Sequence, residues 1–346
     1  MKRNILLVII DCLRFDKVNE DLMPFTRRWG MENVWFSNHR VVSHCTDPSI
    51  TMMLSGVHPD VIGLYSMMYE HRDYTIPNDI KMISEVARGY GYFTGLVSNL
   101  ARWYRRGQNV YLDCRGWAGS KIFDESVRLV KSFNLPWFLI VHDDSCHREY
   151  ERGSYDNACR AVDTYIKKLL DSVDQENTDI IITADHGEGL GQESVTGRKI
   201  IQHGFGLDPF LTHVPLLVKR GAGDMFPKKC VIDQVTDNMY IYQALRYRIC
   251  GANAIPAFGR PVFQAGDTPP NIRHRGIVLP DQKQFIIESQ GGKVNGRYYI
   301  GQFTEGEKRS AEEMLAGHCS RHGIDYWAES MEPEAESRLR GLGYFG

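Results

Sequence analysis

Ile180-Ile181-Ile182-Thr183-Ala184-Asp185-His186-Gly187-Glu188-Gly189 joins a short apolar run to a carboxylate, an imidazole and two glycines. The apolar half reads as a strand buried on both faces, the kind found in parallel sheets. The polar half lies where that strand would end, and in an open parallel sheet ligands bind beyond the carboxyl ends of the strands. A carboxylate oxygen and an imidazole nitrogen suit zinc, manganese or a similar cation, and Gly187 lets the chain turn away tightly. The stretch therefore predicts a sheet strand and, at its edge, two metal ligands, Asp185 and His186.

Working outward, similar apolar runs at 5–10, 92–97, 137–141 and 215–218 alternate with segments of helical period near 48–55, 80–89, 121–133, 156–173 and 235–248. Strand-helix alternation of this kind predicts an α/β fold with a large, mostly parallel central sheet and helices on both faces. Past about residue 255 the texture changes. A Pro and Gly-rich stretch at 255–270 precedes strand-like runs at 276–279, 284–288 and 297–300, which predict a small C-terminal antiparallel subdomain. The expected division is a catalytic domain over 1–255 and the small subdomain over 256–346, with a charged helix near 309–316 and an acidic segment at 332–340.

With 346 residues, 42% of them hydrophobic, the chain can bury a substantial core. Its 41 basic and 43 acidic residues balance to −2, and no basic run suggests a nucleic-acid partner. The apolar run at 5–10 is too short to span a membrane and lacks a cleavage site, so it reads as the first strand. The eight cysteines show no CxxC pair and no dense spacing, which fits free thiols in a reducing cytoplasm.

Three further clusters follow predicted strands or open predicted helices. Asp11 follows the first strand, with Arg14 three positions on; taken alone, an Asp after a strand is more often just a helix cap than a metal ligand. Ser43-His44-Cys45-Thr46-Asp47-Pro48-Ser49 places Thr46 at or just before the N-terminus of a helix whose first turn suits Pro48. Unpaired N–H groups at such a terminus favour an anion, and a hydroxyl there could attack phosphorus or sulfur; a plain helix cap is the competing reading. His142 and His147 follow the strand at 137–141, and His203 stands in Gln202-His203-Gly204. These histidines could serve a second cation, a phosphoryl oxygen or a leaving group, or be ordinary core and surface residues.

The order of these clusters resembles the sulfatase-like branch of the alkaline phosphatase superfamily, across nearly the whole chain. Asp11-Cys12-Leu13-Arg14 looks like the family's opening metal motif. Thr46 to Ser49, Leu54-Ser55-Gly56, His58-Pro59 and Gly63 look like its nucleophile segment. The stretch 142–150, with Tyr155-Asp156-Asn157-Ala158 and Val162-Asp163, is similar to its histidine loop and following helix. Asp185-His186-Gly187-Glu188, His203-Gly204 and Val214-Pro215-Leu216 resemble its second metal motif, and 338–344 resembles a common ending. The resemblance implies a divalent cation held by Asp11, Asp185 and His186 and completed by the hydroxyl of a nucleophilic Thr46. It also implies that His147, His203 and Arg14 contact the substrate, the two histidines at the transferred group or its leaving oxygen.

The sequence departs from that pattern at two places. Sulfatases of the family make formylglycine from Cys or Ser in a Cys/Ser-x-Pro-Ser-Arg setting; here the segment is Thr46-Asp47-Pro48-Ser49-Ile50, with Cys45 one residue out of register. Thr46 instead resembles the phosphodiesterase, phosphomutase and transferase members. Cys12 stands where a second carboxylate is common, which shifts the expected cation from calcium or magnesium toward manganese or zinc. One or two ions are allowed, since Asp143 and Asp144 could supply a ligand or sit in a solvated loop.

With no membrane-spanning run, unlike the anchored transferases, the expectation is a cytoplasmic, metal-dependent hydrolase of phosphate monoesters or diesters acting through phospho-Thr46. A sulfatase working without formylglycine and a catalytically silent binding protein are the alternatives. The expected partner is a small-molecule phosphate or sulfate ester, and a homo-oligomer is left open. Substrate choice is expected to lie in the segments 103–117 and 192–201.

Overall fold

A computed structural model describes residues 2–65, 76–99, 103–134, 136–147, 154–219, 229–251, 258–268, 272–290 and 293–324. In chain order the strands are β1 (Asn4–Ile10), β2 (Val34–Phe36), β3 (Phe93–Ser98), β4 (Val110–Asp113), β5 (Trp137–Asp143), β6 (Thr178–Ala184) and β7 (Gly189–Glu193). They continue as β8 (Lys199–Gln202), β9 (Leu216–Lys219), β10 (Cys230–Ile232), β11 (Val262–Thr268), β12 (Ile272–Val278), β13 (Gln284–Gln290) and β14 (Lys293–Ile300). The helices are α1 (Pro24–Glu32), α2 (Thr46–Ser55), α3 (Pro59–Ile62), α4 (Ile83–Gly89) and α5 (Gly119–Ser132). After them come α6 (Tyr155–Leu170), α7 (Pro209–Thr212), α8 (Asn238–Cys250) and α9 (Glu305–Arg321).

Eight strands form one sheet in the order β10-β2-β9-β6-β1-β5-β3-β4. The fold is α/β, and β9 alone runs against its neighbours β6 and β2. Side chains of a strand alternate between faces, so β1 feeds two cores. Leu6, Val8 and Ile10 pack with α1, α5 and α6 on one face. Ile5, Leu7 and Ile9 pack with α2, α4 and α8 on the other. Covered on both faces, β1 shows the unbroken apolar run that marked it in the sequence.

Strands β11 to β14 form a separate antiparallel sheet, against which α9 packs through Leu315, Ala316 and Cys319. This sheet docks on the main body through Ala265 N–H to Val42 O at 2.8 Å and Gln284 Nε2 to Leu207 O at 2.7 Å.

Several short elements escaped the sequence reading. Helix α1 and strands β2, β4 and β10 are too brief or too polar to show a period of their own. Strand β4 lies inside the segment 103–117 read as a loop, and β7 and β8 pair into a hairpin across 192–201. Strand β11 lies inside the Pro and Gly-rich stretch, because its ladder with β12 supplies what local composition does not. Helix α9 runs well beyond 309–316, opening on a capping box between Thr304 and Glu307. The acidic segment at 332–340 and the closing motif at 338–344 lie outside the described residues.

Candidate metal centre and nucleophile

Parallel strands β1, β5 and β6 are neighbours, and their carboxyl ends deliver Asp11, His142 with Asp143, and Asp185 with His186 to one edge. Register does this: Ile10 stands opposite both Asp143 and Ala184, so the residues that follow emerge side by side. Helix α2 brings Thr46 to the same place as its first residue, after the extended Cys45. The first turn of a helix is where N–H groups lack intrahelical partners and the helix dipole is positive, and Thr46 lies in that turn.

Thr46 Oγ1 is 3.2 Å from His186 Nε2, which in turn lies 3.4 Å from Asp11 Oδ1 and 3.6 Å from Asp185 Oδ2. All four residues are at most 2% exposed. The His186 ring is oriented by its own backbone: Nδ1 lies 2.9 Å from the Gly187 carbonyl, to which it donates, leaving the Nε2 lone pair facing the carboxylates. Burial, reinforced by the neighbouring His203, holds the His186 pKa well below 6.5, so the ring is neutral and able to donate its lone pair.

The carboxylates are under the opposite stress. Burial first, then the charge of Asp185, raises the Asp11 pKa well above 3.8, and burial likewise raises that of Asp185. Two buried carboxylates facing each other favour protonation unless positive charge joins them. Asp185 Oδ2 is buried with no hydrogen-bond partner, and so is His142 Nε2. The ligand atoms of Asp11, His142 and Asp185 all lie within 4.8 Å of one another. Two carboxylates, two neutral imidazoles and a hydroxyl form a mixed oxygen and nitrogen set that fits a divalent cation.

Asp11, Thr46, Asp185 and His186 thus stand together. His142, which the sequence grouped with His147 and His203, is turned toward Asp11 and Asp185, its Nδ1 3.1 Å from Ser98 Oγ. His147 and His203 meet edge to face at 5.1 Å, and His203 approaches His186 at 4.4 Å. Glu188, assigned no role from sequence, places Oε2 3.3 Å from His203 Nδ1. Arg14 bonds the Asp16 carboxylate at 2.8 Å and the Glu188 carbonyl at 3.2 Å, and lines a cleft of about 580 Å³ with Asp208, Phe210 and Tyr299.

Asp143 and Asp144 do not sit in a solvated loop. Both are buried, Asp143 accepting from Ser145 Oγ at 2.9 Å and Asp144 from Asn99. Gly187 is needed for close approach: a Cβ there would stand 2.1 Å from the Phe210 carbonyl, and its own φ is not left-handed. That demand comes from α7, more than 20 residues later, and leaves no local signal.

The Sulfatase family model matches residues 120–243, just over a third of the chain. An uncharacterized protein of Haemophilus influenzae is 24% identical over 328 residues, covering 88% of this chain; the chain spans about half the length of that relative, 52%. Among solved structures, a 2-O GAG sulfatase superposes with TM-score 0.75 at 15% identity, over 97% of this chain and 96% of that one. A protein solved with its substrate D-glucosamine-2-N,6-O-disulfate has TM-score 0.75 at 13% identity, over 96% of this chain and 100% of that one. A phosphonate monoester hydrolase from Silicibacter pomeroyi has TM-score 0.67 at 14% identity, over 96% and 98%. Residues 120–243 thus match the Sulfatase family model, and the fold of the whole chain is similar to that of these solved structures.

Proposed function

We propose that this chain is a metal-dependent hydrolase of small phosphate esters, monoesters or diesters, with Thr46 as nucleophile. The observation that carries the reading is the convergence of the Thr46 hydroxyl, Asp11 and Asp185 on His186 Nε2. Asp11, Asp185 and His186 would hold the cation, with His142 beside them. When bound, the cation supplies positive charge that makes the Thr46 hydroxyl easier to deprotonate and steadies negative charge on the ester oxygens.

Thr46 Oγ1 attacks phosphorus, the ester oxygen leaves, and a phosphothreonine forms; water then cleaves that bond and releases phosphate. The N–H groups opening α2 face the transferred group, where fixed donors stabilise charge without reorganising. His203 and His147 would act at the leaving oxygen, a role supported by the Glu188 contact at His203 Nδ1 and the edge-to-face approach of the two rings.

Preference for phosphate rests on the segment Thr46-Asp47-Pro48-Ser49-Ile50, which has neither the Cys or Ser precursor of formylglycine nor its arginine. A sulfatase acting directly through Thr46 is the second reading, favoured by the Sulfatase family match. The test is a screen of nitrophenyl phosphate monoesters, diesters and sulfate esters with manganese, zinc, magnesium and calcium. Phosphate turnover with manganese or zinc, with a phosphate group trapped on Thr46 and seen by mass spectrometry, is the expected result. Sulfate turnover exceeding phosphate turnover would overturn it.

A further inference from the structure

His203 stands on a short connection between β8 and α7 whose backbone has little shape of its own. Gln202, Gly204 and Gly206 have φ at +72°, +88° and +83°, and the two glycines adopt that left-handed region without the Cβ penalty. Glycine also loses the most freedom on ordering, so contacts from outside must hold such a connection in one form. Its far end is tied by Asp208, which accepts from Ser194 Oγ and from the Val195 N–H, both at 2.7 Å. Its middle is tied by His44, whose Nδ1 lies 2.6 Å from the Gly206 carbonyl oxygen.

His44 is fully buried and stands two residues before Thr46. A carbonyl oxygen only accepts, so Nδ1 carries the ring hydrogen and donates it. Burial first, then the neighbouring His274, lowers the His44 pKa to about 3, so the ring is neutral and keeps this tautomer at neutral pH. On its far edge the ring meets Gly266 of β11, where a Cβ would stand 2.7 Å from His44 Nε2. Gly266 is not left-handed, so what its missing Cβ supplies is room for the imidazole. Its cross-strand partner His274 on β12 meets Phe205 edge to face at 5.1 Å, so the C-terminal sheet supports the connection at a second point.

We propose that His44 is a positioning residue for His203: its bond to the Gly206 carbonyl fixes the backbone that carries the His203 ring, and Gly266 of the C-terminal sheet makes the room that bond requires. One hydrogen bond then joins the nucleophile segment to the leaving-oxygen side of the site across 162 positions. The Glu188 contact orients the His203 ring, whereas His44 sets where that ring begins. Misplacing a reacting group by about 1 Å costs roughly 10²-fold, so a carbonyl bond away from the chemistry is felt there. The inference rests on the hydrolase reading for the role of His203 at the leaving oxygen, and the hold on the connection is measurable without it.

Hydrogen exchange over residues 203–208, together with kinetics on an alkyl and a nitrophenyl phosphate, gives the test on the whole, metal-loaded chain. His44→Ala is expected to speed exchange there by roughly 10-fold, the worth of one hydrogen bond. It should also slow the alkyl phosphate by up to roughly 10²-fold more than the nitrophenyl ester. His44→Asn, whose amide can donate in place of Nδ1, restores both properties. Gly266→Ala, which drives its Cβ against the ring, reproduces both losses with His44 intact. Added to His203→Ala, His44→Ala leaves the ratio of the two substrates where His203→Ala alone put it. Circular dichroism verifies the fold of each variant, and Gly266→Ala carries the comparison if His44→Ala does not fold. Unchanged exchange over 203–208 in the folded variants overturns the proposal. So do equal losses on both substrates where His203→Ala discriminates between them. If His203→Ala itself fails to discriminate, the leaving-oxygen reading falls, and the exchange result alone judges the His44 bond.

Discussion

Thr46 Oγ1 and His186 Nε2 stand 3.2 Å apart across 140 positions of sequence. The contact joins the head of a helix on one face of the sheet to the end of a central strand. It puts the proposed nucleophile and a proposed metal ligand in a single buried site, so the two proposed roles are separable by mutation.

Thr46→Ala is expected to lower kcat/KM for a nitrophenyl phosphate ester by about 10³-fold or more, the scale on which hydrolases lose activity with their nucleophile. Thr46→Ser keeps an oxygen at the same position and retains part of the activity. Steady-state kinetics on fully metallated protein decides it. Full activity in the alanine variant would remove Thr46 from the mechanism.

His142→Ala tests the unpartnered Nε2 facing Asp185. Loss of a group that holds or orients a cation weakens binding by roughly 10–100-fold. Titration with manganese or zinc reads this directly, without turnover. An unchanged dissociation constant would mean that His142 is a core residue satisfied by Ser98 alone.

His203→Ala is expected to discriminate between leaving groups. Assistance at the leaving oxygen is worth roughly 10²–10⁴-fold where that oxygen is a poor leaving group. An alkyl phosphate should therefore slow far more than a nitrophenyl ester. Equal losses on both substrates would place His203 outside that step.

Asp60 ties the C-terminal sheet to the main body: it lies 3.3 Å from Arg275 Nε on β12 and 2.9 Å from His318 Nε2 on α9. Arg275 is 1% exposed, so Asp60→Asn leaves a buried charge poorly matched and should destabilise the fold by about 3 kcal/mol in urea melts at neutral pH. Burial alone would raise the Asp60 pKa, but the His318 hydrogen bond and the charges of Arg275 and His58 outweigh it and hold it well below the usual range. A depressed folded pKa gives stability that is present above the unfolded pKa, about 3.9, and is lost as pH falls below it. Wild type should lose stability through that acid window more steeply than Asp60→Asn. Parallel acid profiles would show that the pair contributes nothing.

The sequence alone determined the α/β class and the central strands, because apolar runs of strand length carry their own periodicity and β1, β5 and β6 are buried on both faces. It also isolated the Asp185-His186 pair, since polar residues directly after such a run are conspicuous, whereas Asp11 and Thr46 each read as well as a helix cap and gained weight only from the family resemblance of the clusters taken in order. Only the tertiary structure decided which of these meet. The parallel register of β1, β5 and β6 sets Asp11, His142 and Asp185 at one edge, and no local pattern encodes a register between strands more than 130 residues apart. The same holds for the antiparallel course of β9 and for the pairing that makes β11 a strand. It holds also for the turn of Cys12 toward His203, which depends on a left-handed backbone that the letters Asp-Cys-Leu do not announce. Local burial and polarity are written residue by residue, whereas the site is a set of distances between chain segments that only packing brings together.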